Sequence, residues 1–239
     1  MLSELISGAA RLGFTLDNNQ LDRFEIYCRE LTAWNQKTNL TAITGYEDIQ
    51  VKHFLDSLTV ATILPNPIPA EFRLLDVGTG AGFPGLPLKI LSPEMHLALL
   101  EATGKKVAFL EHLISILGLT NTAVIAKRAE EAAHLPEYRA GFEAVTSRAV
   151  AELPALLELT LPFCRLGGHL IAQKRGDARA ELERSTRALE TLGGKLIAVK
   201  EVTLPVIPDR HCLVVIAKTE PTPDIYPRRS GMPAKRPLV

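Results

Sequence analysis

Residues 74–85 read LLDVGTGAGFPG, an apolar run that includes a carboxylate and leads into a loop with four glycines. Glycine accepts positive φ angles and lets a ligand approach the backbone with no Cβ in the way. In an open α/β sheet, nucleotides bind at such a turn, at the carboxyl end of the first strand. A tight turn without a ligand would need only one glycine. The loop therefore predicts a site for a nucleotide-containing ligand.

Two interpretations of the loop differ in the ligand that they predict. From Gly80 onward the glycines spell GxGxxG, and Glu101 follows at a distance that suits ribose hydroxyls, as in NAD sites. Asp76, however, would repel a pyrophosphate, whereas the ammonium and sulfonium groups of S-adenosylmethionine would attract its carboxylate. We therefore favour S-adenosylmethionine as the cofactor, bound by Asp76, Gly80 and Glu101. An NAD-linked oxidoreductase stays the alternative.

Other polar residues follow the later predicted strands. Arg148 follows the fourth predicted strand, at a position where a side chain faces both cofactor and substrate, which favours a functional role over a surface salt bridge. Residues 127–130, KRAE, fit either an adenine-facing loop or the start of a helix. His53 and Asp56 lie three apart on a predicted helix and suit acid–base chemistry, although a solvent-facing pair is commoner. The histidines show no metal-ligand spacing, so we predict no metal site.

The elements that must position these residues alternate between short apolar runs and helical patterns, which predicts parallel βαβ units. The predicted strands are 73–77, 96–100, 123–126, 142–146, 169–173, 196–202 and 212–217. The predicted helices among them are 85–91, 105–117, 152–163 and 177–192. Only residues 204–210 separate the last two strands, so these should form an antiparallel hairpin. The fold class is α/β, with a mostly parallel seven-stranded sheet and this C-terminal hairpin.

The regions on either side of this sheet have a different composition. Apolar residues recur at helical spacing behind Asp17, a good N-cap, and a second helix covers 47–61. Three prolines within residues 65–69 then interrupt the helical pattern. We therefore divide the chain into a small helical N-terminal appendage (1–70), a main domain (71–218) and a proline-rich basic tail (219–239). We expect this tail to be solvated and partly disordered.

Composition limits the class of protein. Of 239 residues, 46% are hydrophobic, and 27 Lys and Arg balance 27 Asp and Glu, so no overall basicity indicates a nucleic-acid partner. The apolar runs are far shorter than the roughly 20 residues of a membrane span. Acidic Glu4 argues against a signal peptide, and three widely spaced cysteines fit reduced core thiols. We expect a cytoplasmic monomer that does not bind membranes.

Taken together, these motifs resemble the glucose-inhibited division protein B family, the small-subunit ribosomal RNA guanine-N7 methyltransferases. The matching pieces run in order over nearly the whole chain: Trp34-Asn35, residues 39–41, His53 with residues 56–58, residues 76–85, Lys105-Lys106, Phe109-Leu110, Arg128, Glu130, residues 147–149, residues 226–229, Gly231 and Pro233. Residues 101–103, EAT, depart from the Asp-Ser that is frequent in the family. Arg175 also splits the family's lysine–glycine pair after the fifth strand.

The resemblance implies a Rossmann-like S-adenosylmethionine-dependent methyltransferase fold. It also implies S-adenosylmethionine as the donor and N7 of a guanine in small-subunit (16S) ribosomal RNA, naked or in a particle, as the acceptor. Motif by motif, it places cofactor contacts at Gly78, Phe83, Ala129, Glu130 and Arg148. RNA contacts would come from the basic tail and from cations near the loops: Lys105, Lys106, Arg128, Lys174 and Arg175.

The motifs that this sequence lacks limit which atom of a base it could methylate. Methylation of an exocyclic amine needs a motif such as Asn-Pro-Pro-Tyr after the fourth strand, where this chain has residues 146–149, TSRA. Methylation of pyrimidine C5 needs a cysteine nucleophile, whereas we expect Cys164 to lie in a predicted helix far from the site. Guanine N7 offers a lone pair and loses no proton, so in-line positioning, worth about 7 kcal/mol or more, can suffice. We therefore predict no general base and Arg148 as the catalytic residue. An RNA-assembly factor that binds S-adenosylmethionine without turnover is the second alternative.

Overall fold

The computed structural model describes residues 2–203 and 211–239, and these form an α/β fold around one seven-stranded sheet. The strands are β1 (Arg73–Val77), β2 (His96–Leu100), β3 (Thr122–Ile125), β4 (Phe142–Arg148), β5 (Cys164–Arg175), β6 (Gly194–Val202) and β7 (His211–Lys218). Their order in the sheet is β3-β2-β1-β4-β5-β7-β6. The predicted sheet and its seven strands are confirmed.

Helices precede, connect and follow the strands. They are α1 (Ser3–Arg11), α2 (Asn18–Thr38), α3 (Tyr46–Ile49), α4 (Asp56–Leu58), α5 (Gly85–Leu91), α6 (Gly104–Ile116), α7 (Ala129–Ala132), α8 (Leu153–Thr160), α9 (Arg179–Glu183), α10 (Thr186–Leu192) and α11 (Met232–Lys235). A π-helical stretch, Gln50–Leu55, joins α3 to α4, and 3-10 turns at Thr59–Thr62 and Leu161–Phe163 follow α4 and α8. Segment 46–62 is therefore continuously helical, as predicted.

Strand direction decides which residues meet at the functional edge of the sheet. Strands β1 to β5 are mutually parallel, whereas β7 is antiparallel to both β5 and β6, which confirms the hairpin. The hairpin's connection, residues 204–210, lies outside the described residues. Because β7 runs in the opposite sense, its first residue, His211, pairs with Arg175 at the end of β5. Arg148, at the end of β4, pairs with Gln173 nearby. One edge thus collects residues distant in sequence.

The start of α2 is tied to the Rossmann-like part of the chain. Asp17 caps α2 as predicted and forms a capping box with Gln20: each side chain accepts from the other's backbone N–H, at 2.8 and 2.9 Å. The Gln20 side chain also donates to the carbonyls of Ile90 and Leu91, at the end of α5. One residue therefore satisfies backbone groups at the ends of two helices.

Each face of the sheet has its own hydrophobic core, because successive side chains of a strand point to opposite faces. Leu74 belongs to a cluster that includes Phe24 and Phe54 from the N-terminal helices. Leu75 belongs to a second cluster that includes Leu156 of α8. The helices before residue 70 thus cover one face of the sheet. Whether they form a separate unit, as the proposed boundary implies, stays a prediction.

Helix α1 packs closely on the π-helical stretch through a glycine. A Cβ on Gly8 would overlap the side chain of Leu55. We expect Gly8→Ala to lower the free energy of unfolding by about 1–3 kcal/mol, because overpacking forces neighbouring side chains to shift. Chemical denaturation measures this, with Gly104→Ala as the control, since a Cβ on Gly104 meets nothing within 4 Å. Equal stability of the two variants would contradict the close packing of α1.

The structure corrects three sequence-based expectations. Cys164 is the first residue of β5, buried at the amino end of the strand. The single helix predicted over 177–192 is two helices, α9 and α10. The tail is packed rather than solvated along its length: Tyr226 lies against the second core and Leu238 is buried in it. Polar residues elsewhere in the chain bind the tail and make this packing possible. Composition alone could not identify them as its partners.

Candidate functional site

Asp76 holds the two ends of the glycine loop together. The residue has 0% relative exposure, and its Oδ2 accepts hydrogen bonds from Thr79 Oγ1 at 2.6 Å and Gly85 N at 2.8 Å. A Cβ on Gly85 would lie 3.0 Å from the same carboxylate oxygen and 2.7 Å from Leu99 Cδ2. Glycine at 85 is therefore required by close approach, because α5 begins directly against the carboxylate.

The second oxygen of Asp76 marks a place for a cation. Asp76 Oδ1 is buried and has no hydrogen-bond partner among the described residues. Burial raises the pKa of Asp76 to about 6, although its hydrogen bonds from Thr79 and Gly85 oppose the rise. A buried carboxylate that is half satisfied is costly, and a positively charged ligand group would remove that cost. The residue thus fits the contact with a cationic cofactor that we predicted.

Glu101 holds the middle of the loop from the neighbouring strand. Its Oε2 accepts from Gly80 N at 3.1 Å, and its Oε1 accepts from Thr103 N at 2.8 Å. Lys106 Nζ lies 3.9 Å from Oε2. The carboxylate is only 8% exposed. It therefore fixes the loop, and each of its oxygens keeps a further lone pair that can accept from a ligand hydroxyl.

A cavity of about 470 Å³ opens beside the loop at the carboxyl edge of the sheet. Its lining residues are Val77, Gly78, Leu100, Glu101, Ala102, Lys127, Arg128, Ala129, Glu130, Val150, Ala151, Leu159, Ser230, Gly231 and Ala234. The structure thus brings four predicted cofactor residues to one cavity: Gly78, Glu101, Ala129 and Glu130. Phe83 and Arg148 are not among its lining residues, and Asp76 and Gly80 act through the loop that borders it.

Arg148 instead belongs to a buried cluster between β4 and the helical segment 46–62. Its Nη1 donates to Asp56 Oδ2 at 2.8 Å and to the carbonyl of Lys52 at 3.0 Å. Its Nη2 donates to His53 Nδ1 at 3.2 Å, and the guanidinium carbon lies 5.1 Å from the centre of the Phe83 ring. The geometry joins the predicted catalytic arginine to the loop and to the N-terminal helices.

His53 and Asp56 are buried, so a solvent-facing pair is the wrong interpretation of their spacing. Asp56 Oδ1 also lies 3.0 Å from His211 Nδ1, and its backbone carbonyl accepts from Gln173 Nε2 at 2.9 Å. Burial raises the pKa of Asp56, but hydrogen bonds from His211 and Arg148 outweigh it and hold the pKa below its usual value. Asp56 is therefore the anion that anchors Arg148.

The hydrogen bonds of His53 define its tautomer. An arginine can only donate, so His53 Nδ1 must accept from Arg148 and the proton must sit on Nε2, 2.8 Å from Thr41 Oγ1. The ring also stacks on Phe83, with centroids 4.4 Å apart. Burial and the nearby Arg148 lower the pKa of His53 to about 3. The ring is therefore a neutral acceptor that orients Arg148, which argues against an acid–base role.

We expect His53 to stay neutral in NMR titrations between about pH 5 and 8, with its proton on Nε2, because protonation would place a cation against Arg148. Imidazole ¹⁵N shifts measure this, and His53→Gln assigns the resonance by its disappearance. The pKa of His53 in the folded protein, near 3, lies below the ordinary 6.5. The contribution of the neutral ring to the free energy of unfolding is therefore present above pH 6.5 and is lost as the pH falls. A midpoint near pH 6.5 would contradict the buried, neutral ring.

Sequence analysis missed residues that complete this arrangement. Tyr27 of α2 donates to the carbonyl of Ala81 in the loop at 2.6 Å and stacks parallel on Phe83. His211 carries a buried Nε2 that has no hydrogen-bond partner in the described part of the chain. A histidine at the start of the second strand of an antiparallel hairpin could have been recognised as a site residue, because that strand starts at the carboxyl edge of the sheet. Tyr27 gave no signal beyond helical spacing.

Metal ligation and thiol chemistry have no support in the described ranges. Residues 2–203 and 211–239 contain no group of three or more His, Cys, Asp or Glu side chains that could hold a metal ion. Cys28, Cys164 and Cys212 are buried and free, and burial raises the pKa of each thiol. No helix in these ranges is long and apolar enough to cross a membrane.

Comparisons with known proteins find the chain similar to one family. Residues 20–213 match the family model described as rRNA small subunit methyltransferase G. Relatives named Ribosomal RNA small subunit methyltransferase G include one from Dehalococcoides mccartyi strain BAV1, 50% identical, and one from Roseiflexus castenholzii, 46% identical, both over 100% of each chain.

Solved structures share the fold at low identity. The YcgJ protein of Bacillus subtilis has a TM-score of 0.55 and 13% identity over 70% of this chain and 100% of its own. The P. horikoshii TYW2 structure in complex with MeSAdo has a TM-score of 0.54 and 11% identity over 70% and 63% of the two chains. At these identities the comparison supports the fold alone.

Proposed function

The chain belongs to the rRNA small subunit methyltransferase G family, and from that membership we propose that it transfers a methyl group from S-adenosylmethionine to N7 of a guanine in small-subunit ribosomal RNA. The observation that carries the proposal for this chain is Asp76, a buried carboxylate with one oxygen that has no partner among the described residues, followed directly by Val77 and Gly78 in the lining of the cavity. Neither comparison nor geometry favours an NAD-linked oxidoreductase, whose pyrophosphate this carboxylate would repel.

The residues around the cavity fit the parts of the donor. Asp76 Oδ1 is suited to a cationic group, and Glu101 to the hydroxyls of a ribose, as in other nucleotide sites of open α/β sheets. Gly78 gives close access to the backbone, and Ala129 and Glu130 line the cavity at the end of β3, where an adenine would lie. S-adenosylmethionine would supply an electrophilic methyl group on its sulfonium. The chain's part is to fix that group in place.

Arg148 is proposed to position the acceptor base. Three of its N–H groups bond Asp56, Lys52 and His53, which leaves two of the five guanidinium donors without a partner among the described residues. A guanine offers O6 beside N7 as an acceptor for such donors. Since N7 attacks through a lone pair and releases no proton, this orientation can replace a general base.

The test is methyl transfer from labelled S-adenosylmethionine to small-subunit particles and to naked RNA from cells that lack this protein, followed by cleavage at N7-methylguanine. We expect one new cleavage site. Donor binding without release of S-adenosylhomocysteine on either acceptor would favour the alternative of an RNA-assembly factor without turnover. The better acceptor shows whether the substrate is free RNA or a particle. We propose that the protein acts on this substrate in the cytoplasm and as a monomer.

The structure divides the predicted RNA-binding cations into two groups. Lys174 pairs with Glu181 at 2.7 Å, and Arg228 pairs with Glu158 at 2.6 Å, so neither is free to bind phosphate. The exposed cations that remain include Lys105, Arg128, Arg175 and Arg229. These have no ion pair among the described residues, and we propose them as the phosphate contacts.

We expect Arg229→Ala to weaken RNA binding and to reduce the slope of log K against log salt by about 1, because one phosphate contact is lost. Filter binding at several salt concentrations measures the slope. Arg187→Ala is the matched control, because Arg187 is exposed on α10. Helix α10 leads into β6, the outermost strand on one side of the sheet. An unchanged slope for Arg229→Ala would remove Arg229 from the RNA interface.

A further inference from the structure

The C-terminal tail forms part of the wall of the cavity beside the glycine loop. Ser230, Gly231 and Ala234 line that cavity together with Gly78 and Ala129. These residues follow the main domain (71–218) in sequence by 12 to 16 positions. Their presence in the wall means that the shape of the cavity depends on how the tail is held.

A buried ion pair holds the beginning of this segment. Glu158 of α8 has 0% exposure, and it accepts from Arg228 through the backbone N–H at 2.7 Å, Nε at 2.9 Å and Nη2 at 2.6 Å. The two side chains form the bidentate arrangement that is strongest for arginine and carboxylate. An isolated carboxylate at this depth would be very unfavourable. Arg228 is therefore the partner that permits Glu158 to be buried.

Further hydrogen bonds tie the tail to the elements that carry the cavity. Gly231 N donates to Glu130 Oε1 at 2.8 Å, and Glu130 itself lines the cavity. His134 Nε2 lies 2.8 Å from the carbonyl of Pro227. Arg139 donates to the carbonyls of Tyr226, Thr222 and Pro223. Segment 228–234 is thus anchored at its start by Glu158 and in its middle by Glu130.

We propose that segment 228–234 is a donor-binding wall, and that Glu158 and Arg228 are positioning residues for donor binding rather than RNA contacts. This inference rests on the proposed function, since it assigns S-adenosylmethionine to the cavity. Adjacent arginines then have separate tasks. Arg228 shapes the donor cavity, whereas exposed Arg229 is available to RNA.

The first test fills the cavity from the tail. Ala234→Trp adds a large side chain at a lining position, and Lys235→Trp adds the same side chain at the next residue of α11, which does not line the cavity. Both positions are exposed, so neither change crowds a core. We expect calorimetric titration with S-adenosylhomocysteine to show about tenfold weaker binding for Ala234→Trp and unchanged binding for Lys235→Trp.

The second test removes the anchor. We expect Arg228→Met to raise the donor KM about tenfold with little change in kcat, whereas Arg187→Ala, at an exposed position of α10, leaves the donor KM unchanged. Hydrogen exchange on the wild-type protein should show slower exchange of the amides of residues 229–232 and 234 when S-adenosylhomocysteine is added. If Arg228→Met does not fold, the Ala234 and Lys235 pair still decides the matter.

The outcomes separate the two proposals. Failure of the wild-type protein to bind S-adenosylhomocysteine or S-adenosylmethionine would overturn the proposed function. Normal binding by the wild-type protein and equal binding by Ala234→Trp would overturn the donor-binding wall and leave the proposed function intact.

Discussion

Arg148→Ala is expected to lower methyl transfer by about 100-fold or more and to destabilise the protein as well. The substitution removes the cation from Asp56, whose side chain is only 5% exposed, and it leaves a buried carboxylate whose remaining side-chain partner among the described residues is His211. Removing one partner of a buried pair costs about 3 kcal/mol or more. Methyl incorporation, measured well below the melting temperature, reports the loss of activity.

Arg148→Lys separates charge from geometry. A lysine keeps the positive charge near Asp56 but lacks the planar fork that also reaches Lys52 and His53. We expect it to recover much of the stability and little of the activity. An Arg148→Ala enzyme that bound donor and RNA normally and kept full turnover would remove Arg148 from catalysis.

The sheet could be predicted from sequence because its signals are local. The bounds of β1, β2 and α5 agree with the predicted 73–77, 96–100 and 85–91 residue for residue, since each apolar run is bordered by polar or glycine residues. Of the two four-residue helices, α7 begins within residues 127–130, where the start of a helix was one of two interpretations, and α11 was not predicted. Helices this short are not stable alone and depend on tertiary contacts.

The candidate site likewise has a part that the sequence predicts and a part that it does not. The glycine loop is a local requirement of backbone conformation and close approach, so Asp76 and its neighbours are visible in the sequence. Asp56 and Arg148 are 92 positions apart, and Asp56 and His211 are 155 apart. Only the order and direction of the strands bring these three together. Sequence spacing could place His53 and Asp56 on one helix but could not show that this face is buried.

The C-terminal tail shows why composition wrongly predicted a solvated, partly disordered segment. Proline-rich, charged segments are often disordered because they cannot bury enough apolar surface. Here the backbone carbonyls of the tail are satisfied by Arg139, and the charge of Arg228 is neutralised by a carboxylate inside α8. Both partners lie about 70 or more positions upstream, so no local pattern reveals them.

Asp76→Asn is expected to weaken donor binding while it stabilises the donor-free protein at neutral pH. The amide keeps an oxygen for Thr79 and Gly85 but has no negative charge for a cationic ligand, so affinity should fall roughly 10- to 100-fold. In the folded protein the pKa of Asp76 is about 6, against an ordinary 3.8. A raised acid pKa gives stability that is present below pH 3.8 and is lost as pH rises through about 6. Removing the charge should therefore restore about 1–3 kcal/mol at pH 7 to 8.

Two measurements on Asp76→Asn test this opposition between stability and binding. Denaturation of the donor-free protein should give the wild type a lower free energy of unfolding at pH 8 than at pH 5, and Asp76→Asn should lack this decrease. The control Asp177→Asn, at an exposed aspartate, should resemble the wild type. Calorimetry with S-adenosylmethionine gives the affinity. A variant that is less stable at pH 8 would show that the carboxylate serves the loop alone. A variant that binds the donor as tightly as the wild type would show that Asp76 does not contact its cationic group, and the cation site would then lie elsewhere on this edge of the sheet.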